Sequence, residues 1–251
     1  MYGIRNLANA RCDAWCNIRI KLSPMNSIRA VTIDLDDTLW AITPVIVQAE
    51  KRMYDLLTAN CPAITKSYGV DELREVRAQV ELDFPELKHD LTAMRKLTIE
   101  RVLLECGCDT SYVEPVFDEF MHARNDVDLF PDVIPSLEQL SKRFPLVSIS
   151  NGNADLSRIG LRRFFTACVS ATEVGVAKPH PRVFLTACDR AGYPPECVIH
   201  IGDHPHQDIL GAAKVGMKTI WMNREGHIWE HEHQPDAEVC SLSDATKLLV
   251  G

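Results

Sequence analysis

The chain has 251 residues, with 27 Lys and Arg against 35 Asp and Glu, which gives a formal net charge of −8 at pH 7. Hydrophobic residues make up 46% and charged residues 25%, a globular composition that excludes disorder over most of the chain. The longest apolar run is the four residues 39–42, too short for a membrane helix, and the acidic balance argues against nucleic acid as the main partner.

The predicted elements begin with a short buried strand over residues 28–33, which is apolar and rich in β-branched side chains. Residues 43–127 are predicted to be mostly helical, with helices at about 44–59, 71–82, 90–105 and 112–125. Beyond them, helices are predicted at 132–143, 154–165, 181–192 and 206–215, strands at 146–150, 167–171, 198–201, 219–222 and 238–240, and a last helix from Asp244. Alternating strands and helices indicate an α/β fold whose core is a doubly wound parallel sheet.

The segment 1–26 differs from the rest, since it holds four basic residues and one acid, a net charge of +3. We interpret it as an N-terminal extension, or as the result of a start placed ahead of Met25; its basic character faintly resembles an organelle transit peptide.

The nine cysteines are expected to be reduced thiols of a cytoplasmic protein, because disulfide scaffolds belong mainly to small secreted chains. Cys106 and Cys108 lack the second half of a metal site.

Polar side chains stand where several predicted strands end. Asp34 and Asp36 follow the first strand, Ser150 and Asn151 end the strand at 146–150, Asp203 follows the strand at 198–201 with Asp208 five residues on, and Lys178 precedes the helix at 181–192. Ligands of such sheets bind outside the carboxyl ends of the strands, so these side chains are expected to share one crevice.

The charges of that crevice predict a metal ion. Asp34 and Asp36 are two residues apart at a strand end, so they tend to point the same way, and with Asp203 they require a counter-ion. A few carboxylates suit Mg²⁺, which commonly binds together with a phosphate. Lys178 supplies a second positive charge and Ser150 a donor to a phosphoryl oxygen, and a carboxylate that attacks phosphorus gives an aspartyl-phosphate.

Four short motifs resemble, in order and spacing, those of the haloacid dehalogenase-like (HAD) superfamily. They are Asp-Leu-Asp-Asp-Thr at 34–38, Ser-Asn-Gly at 150–152, Val-Ala-Lys-Pro at 176–179 and Gly-Asp-His-Pro-His-Gln-Asp at 202–208. The helical segment resembles the α-helical cap domain that subclass I members insert into their core. The resemblance implies a core domain of residues 27–42 and 128–251 and a cap domain of residues 43–127, beside the extension 1–26.

The resemblance also implies a role for each motif residue. Asp34 would be the nucleophile and a Mg²⁺ ligand, and Asp36 would protonate the leaving alkoxide, activate water and bind the metal through its backbone carbonyl. Thr38 would support the first-motif loop and contact the substrate, and Ser150 and Asn151 would bind the phosphoryl group. Lys178 would neutralise the charge of that group. Asp203 would bind the metal, and Asp208 would orient the site or a metal-bound water.

Asp36 favours a phosphatase over a dehalogenase, because a phosphate ester needs its leaving oxygen protonated and a halide does not. The stretches 34–40, 89–92, 149–154 and 202–204 look most like a bacterial branch that acts on flavin mononucleotide and on the phosphorylated ribityl-pyrimidine of riboflavin synthesis. In that branch we expect Trp40 either to stack on a planar substrate or to pack internally. We expect Arg95 either to meet a phosphate or ring carbonyl or to be a solvated surface residue.

Other functions stay open at this point. One is a phosphatase of sugar, glycolate or nucleotide phosphates. Less favoured are a phosphomutase, which shares every motif, a dehalogenase and a phospho-receiver domain. His227, His231 and His233 are expected to form either a zinc site or a surface cluster. The expected partner is a small phosphorylated metabolite, with no nucleic acid or membrane, and the chain is expected to be a monomer or a homodimer.

Overall fold

A computed structural model of the chain describes residues 19–20 and 27–251. The strands are β1 (Arg19–Ile20), β2 (Ala30–Ile33), β3 (Leu146–Ser150), β4 (Ala167–Ser170), β5 (Val198–Gly202), β6 (Lys218–Met222) and β7 (Ala237–Val239). They form one sheet in the order β1-β7-β6-β5-β2-β3-β4. Strands β2 to β7 pair in parallel, whereas β1 pairs antiparallel with β7. The predicted parallel α/β core is confirmed, and β1 adds an edge strand from the predicted extension.

Four helices separate β2 from β3 as predicted, followed by a fifth that returns to the sheet. These are α1 (Ile42–Asn60), α2 (Val70–Asp83), α3 (Leu91–Glu105), α4 (Val113–Arg124) and α5 (Val133–Leu140). The later helices are α6 (Leu156–Ile159), α7 (Ala171–Val174), α8 (Pro181–Ala191), α9 (Gly211–Lys214) and α10 (Leu242–Val250). Among the described residues, no helix combines the length and the apolar character that crossing a membrane requires.

Helices cover both faces of the sheet, which explains why its strands are apolar throughout. In β2, Val31 and Ile33 belong to one buried cluster with α5 and α10, whereas Ala30 joins a second cluster with α8 and α9. A third buried cluster, which includes Met53, lies wholly between residues 49 and 123 and packs α1 to α4 together. The helical insert therefore has a hydrophobic core of its own.

Two predicted helices differ from the expectation. The helix predicted over 154–165 ends at Gly160, whose φ of 84° is a left-handed helix cap, and a 3₁₀ helix, Arg162–Phe164, follows it. The helix predicted over 206–215 is a π-helix, Pro205–Leu210, continued by α9.

The expectation that all thiols are reduced is wrong for one pair of cysteines. Cys61, just after α1, forms a disulfide with Cys108, in the loop after α3, and their Cα atoms lie 6.1 Å apart. The packing of the helices of the insert brings the two side chains together across 47 residues of sequence, which spacing alone could not indicate.

Candidate active site

The loop after β2 places Asp34 at the end of the sheet and turns sharply behind it. Asp37 has a φ of 59°, a left-handed conformation that Asp adopts more readily than most residues. Its backbone N–H donates to the Trp40 carbonyl at 2.7 Å, and its Oδ1 accepts from the Ile42 N–H at 2.9 Å. This turn therefore leads the chain directly from β2 into α1.

Three carboxylates and one ammonium group meet at the ends of β2 and β5. Asp34, Asp203 and Asp208 each offer an oxygen within 4.8 Å of the others. Lys178 Nζ contacts Asp34 Oδ1 and lies 2.5 Å from Asp208 Oδ1. Thr38 Oγ1 lies 3.3 Å from both Asp34 Oδ2 and Asp203 Oδ1. We call these three acids the acid cluster; its oxygen donors suit a hard divalent cation such as Mg²⁺.

Burial couples the charges of the acid cluster. Burial raises the pKa of Asp34, and although Lys178 opposes this, the Asp208 and Asp203 carboxylates add to it. Burial also raises the pKa of Asp203 to about 7, with a further contribution from Asp208. Burial alone would lower the pKa of Lys178, but Asp208 and Asp34 outweigh it and raise that pKa well above its ordinary value. One lysine cannot neutralise three acids, so the donor set favours a second cation.

Asp208 is hydrogen-bonded to a histidine that sequence reasoning missed. His200 is fully buried in β5, and its Nε2 lies 3.0 Å from Asp208 Oδ1 while its Nδ1 lies 2.8 Å from Thr32 Oγ1. Burial lowers the pKa of His200, so the neutral ring donates through Nε2 and accepts the Thr32 hydroxyl at Nδ1. Burial would raise the pKa of Asp208, but Lys178 and His200 hold it well below its usual range. A histidine in an otherwise apolar strand was the available sign.

The Asp36 carboxylate lies outside the acid cluster, so the prediction that it points the same way as Asp34 is wrong. Arg124 Nη2 donates to both of its oxygens, at 2.7 and 2.8 Å, and Trp40 Nε1 donates to Oδ1 at 2.9 Å. The turn at Asp37 and the buried guanidinium direct the carboxylate toward the helices of the insert. Metal binding through the Asp36 backbone carbonyl stays a prediction. Sequence reasoning missed Arg124, which ends α4 far along the chain.

Trp40 packs internally, and the alternative that it stacks on a substrate is wrong. Its side chain is fully buried, which leaves no ring face for a ligand. The indole N–H is instead one of the donors that fix Asp36. Arg124 Cζ lies 6.0 Å from the centre of the Trp40 rings, so the indole also supports the guanidinium.

The loop after β3 brings the backbone of Gly152 close to the Asp36 carboxylate. The Ser150 hydroxyl oxygen accepts from Gly152 N at 2.9 Å, and a Cβ on Gly152 would lie only 2.7 Å from Asp36 Oδ2. Asn151 Oδ1 accepts from Lys178 N at 2.7 Å, and its Nδ2 donates to Lys178 O at 3.1 Å. The Asn151 side chain thus fixes the segment that carries Lys178, and its backbone is the part available to a ligand.

A cavity of about 210 Å³ opens beside Asp36, between the motif loops and the helical insert. It is lined by Asp36, Ile42, Ile46, Arg77, Leu91, Arg95, Phe120, Arg124, Gly152 and Asn153. We call it the cap-side cavity, since helices α1 to α4 supply seven of these residues. Its apolar wall carries three guanidinium groups and one carboxylate, a lining that favours an acceptor-rich ligand.

Arg95 is a buried member of that lining, so the alternative of a solvated surface residue is wrong. It is 4% exposed, its Nη1 lies 3.2 Å from Glu50 Oε1, and its guanidinium lies 4.2 Å from the centre of the Phe120 ring. Burial lowers the pKa of Arg95 to about 10, and the nearby Arg77 contributes to the shift.

Residues 28–216 match the family described as haloacid dehalogenase-like hydrolase. The chain belongs to this family. The predicted superfamily, its α/β fold with a helical insert, and a hydrolase activity are thereby confirmed.

The relatives of this hydrolase include phosphatases and a dehalogenase. The chain is 30% identical over 234 residues to 5-amino-6-(5-phospho-D-ribitylamino)uracil phosphatase YigB of Escherichia coli K12, over 90% of this chain and 98% of that protein. It is 30% identical over 227 residues to glyceraldehyde 3-phosphate phosphatase of Methanopyrus kandleri, over 84% of this chain and 91% of that protein. The crystal structure of 2-haloacid dehalogenase from Pseudomonas syringae pv. Tomato DC3000 matches with a TM-score of 0.84 and 39% identity, over 88% and 98% of the two chains.

The histidines of the C-terminal loop of this hydrolase do not assemble a metal site. His227 Nε2 lies 2.9 Å from Glu225 Oε2, and the His231 ring packs against Trp229 with 5.3 Å between ring centres. Within residues 19–20 and 27–251, the acid cluster is the only group of three potential ligands close enough to share one ion. The loop histidines, with His233, are exposed, which fits the alternative of a surface cluster.

Proposed function

We propose that the protein is a Mg²⁺-dependent phosphatase that hydrolyses a small-molecule phosphate monoester through an aspartyl-phosphate on Asp34. The observation that carries this proposal is the position of Asp36, which faces Arg124 and the cap-side cavity, apart from the acid cluster. Two carboxylates in such different surroundings suit two different roles, a nucleophile and a proton donor. An alkoxide leaving group needs that donor, whereas a halide leaves without one.

In the proposed mechanism Asp34 attacks phosphorus, and Asp36 gives a proton to the leaving oxygen. Asp36 then takes a proton from the water that hydrolyses the aspartyl-phosphate, which returns both acids to their first state. Ser150 and the Asn151 backbone N–H hold the phosphoryl oxygens, and Lys178 orients Asp34 and favours its ionised form.

Asp34, Asp203 and Asp208 would hold Mg²⁺. When bound, the ion would supply positive charge to the phosphoryl oxygens and relieve the repulsion among the three acids. Thr38 fixes two of these carboxylates through its hydroxyl contacts, and His200 fixes the third.

For the substrate we favour flavin mononucleotide or the phosphorylated ribityl-pyrimidine of riboflavin synthesis. The similarity to YigB along nearly the whole of both chains supports this choice. A second candidate is a sugar or triose phosphate, which the similarity to the Methanopyrus kandleri enzyme supports.

We also propose a core domain of residues 27–42 and 128–251 and a cap domain of residues 43–127, supported by the separate hydrophobic cluster of the insert.

The test is a screen of phosphate esters with Mg²⁺, with EDTA and with Asp34→Asn as the blank. Release of phosphate should require both Mg²⁺ and Asp34. With p-nitrophenyl phosphate as substrate, Asp36→Asn should release one p-nitrophenolate per active site and then stop. This leaving group needs no protonation, but hydrolysis of the aspartyl-phosphate needs Asp36 as the base. Asp34→Asn turnover at the parental rate, or release of halide from 2-haloacids without phosphatase activity, would contradict the mechanism. A wide lead of sugar phosphates would overturn only the substrate choice.

A further inference from the structure

Arg124 carries a hydrogen-bond donor that the protein leaves unused. In the part of the chain that the structure describes, Arg124 Nη1 is the only buried side-chain nitrogen or oxygen without a hydrogen-bond partner. The residue is 1% exposed, so water does not compensate freely for the missing bond. Leaving a charged donor unpaired in the interior is costly, so a group that pairs with it during function would gain correspondingly.

The position of this nitrogen suggests what that group is. Arg124 lines the cap-side cavity, and its Nη2 holds the Asp36 carboxylate. The two η nitrogens are bonded to one carbon, so Nη1 lies next to the carboxylate that serves the leaving oxygen. If the leaving oxygen of a substrate meets Asp36, as the proposed mechanism requires, an acceptor on the carbon adjacent to the ester carbon would be placed toward Nη1.

We propose that Arg124 Nη1 binds an oxygen on the carbon next to the ester carbon, so that the enzyme selects phosphate monoesters of 1,2-diols and their carbonyl counterparts. This inference rests on the proposed phosphatase function, since it names the leaving group of that reaction. Both ribityl phosphates and triose phosphates carry such an oxygen, so it does not depend on which of them is the substrate.

The surroundings of Arg124 fit an oxygen acceptor and not a cation. The guanidiniums of Arg77 and Arg95 line the same cavity, and Asp36 is the one acid among the described lining residues. Trp40 packs beside the Arg124 guanidinium, and Asp36 fixes its other edge, so the free nitrogen is held in place before a ligand arrives. Because the donor is already ordered, binding a substrate oxygen to it costs little conformational entropy. A substrate that has this oxygen is therefore favoured over one that lacks it.

The experiment compares two esters that differ by one hydroxyl group, glycerol 1-phosphate and 3-hydroxypropyl phosphate, which lacks only the hydroxyl on the adjacent carbon. For the wild type we expect kcat/KM to favour glycerol 1-phosphate by about 10- to 100-fold, the range for a hydrogen bond to a charged group. Arg124→Lys keeps a charge for Asp36 but has one nitrogen, so the preference should fall to about 3-fold or less. Arg77→Lys, in the same cavity, is the matched control and should retain the preference.

The outcomes separate this inference from the proposed function. Equal turnover of the two esters by the wild type, or an unchanged preference in Arg124→Lys, overturns the role of Arg124 and leaves the phosphatase standing. No release of phosphate from any ester overturns both. If Arg124→Lys does not fold, the wild type alone decides, since 2-aminoethyl phosphate places an ammonium group against Arg124 and should react at least about 10-fold more slowly than 2-hydroxyethyl phosphate. Equal rates for that pair contradict the inference.

Discussion

Replacement of Glu50 by Gln should strongly destabilise the protein, because it leaves a buried guanidinium without its counter-ion. Glu50, in α1, is 5% exposed and accepts from Arg95 Nη1 at 3.2 Å and from Arg74 Nε at 2.8 Å. Arg95, in α3, is 4% exposed, and burial together with Arg77 already lowers its pKa to about 10. The Glu50 carboxylate is therefore what makes a cation tolerable at this position.

The magnitude follows from the two partners of Glu50. Removing one member of a buried ion pair costs about 3–5 kcal/mol, and we expect Glu50→Gln near the lower end because the amide oxygen still accepts a hydrogen bond. Arg95→Met should cost less, since Glu50 keeps Arg74, whose side chain is 47% exposed. Combining Glu50→Leu with Arg95→Met should return stability to within about 1 kcal/mol of the wild type, because apolar residues of similar volume often replace such pairs without loss.

The assay is urea unfolding, followed by circular dichroism at one fixed pH and salt concentration. Glu114→Gln is the matched control, since Glu114 pairs with Lys96 at 2.6 Å but its side chain is 65% exposed, and the loss should stay below about 1 kcal/mol. The reasoning is refuted if Glu50→Gln costs no more than this control, or if Arg95→Met costs more than Glu50→Gln.

Three further predictions concern residues outside the helical insert. Gly202→Ala should lower kcat at least 10-fold and stability by about 1–3 kcal/mol, because the new Cβ would lie 2.5 Å from Asp208 Cγ; steady-state kinetics and urea unfolding measure both. Trp40→Phe removes one donor to Asp36, so kcat should fall about 10-fold with little change in KM. Cys188 should be alkylated more slowly at pH 8 than the half-buried thiols, and faster as the pH rises, because burial raises its pKa to about 11; peptide mass spectrometry follows the labelling.

The parts of the site that the sequence predicts lie at strand ends. Asp34 and Asp203 meet because the carboxyl ends of parallel strands share one edge of the sheet, which alternation of strand and helix already indicates. Lys178 joins them from the segment that precedes α8. The contacts of Asp36 were not predictable in this way. Arg124 lies 88 residues further along the chain, at the end of a cap helix whose approach to the sheet depends on the packing of the whole insert.

The local sequence pattern also could not predict which of the candidate side chains are buried. Trp40 was expected either to stack on a substrate or to pack internally, and its local sequence favoured neither. Arg95 was expected either to contact a substrate or to be a solvated surface residue, and its local sequence favoured the surface. Trp40 is enclosed because the turn at Asp37 folds the chain back onto β2 and α1, and Arg95 is enclosed because α1 supplies Glu50 opposite it. Both outcomes depend on contacts between elements that are distant in sequence, as does the buried role of His200.

The separation of Asp34 from Asp36 is what the proposed mechanism needs, because that mechanism gives two carboxylates two residues apart different chemistry. Asp34 is paired with Lys178 and shares the acid cluster, where a cation keeps it available as a nucleophile. Asp36 is paired with Arg124 at the cavity wall, so its proton exchange is removed from the metal ligands. If both acids shared Lys178, their repulsion would drive one of them to take up a proton permanently. In the proposed mechanism, an arginine from the helical insert beside the first motif is therefore what would allow a single short loop to supply both a nucleophile and an acid–base group.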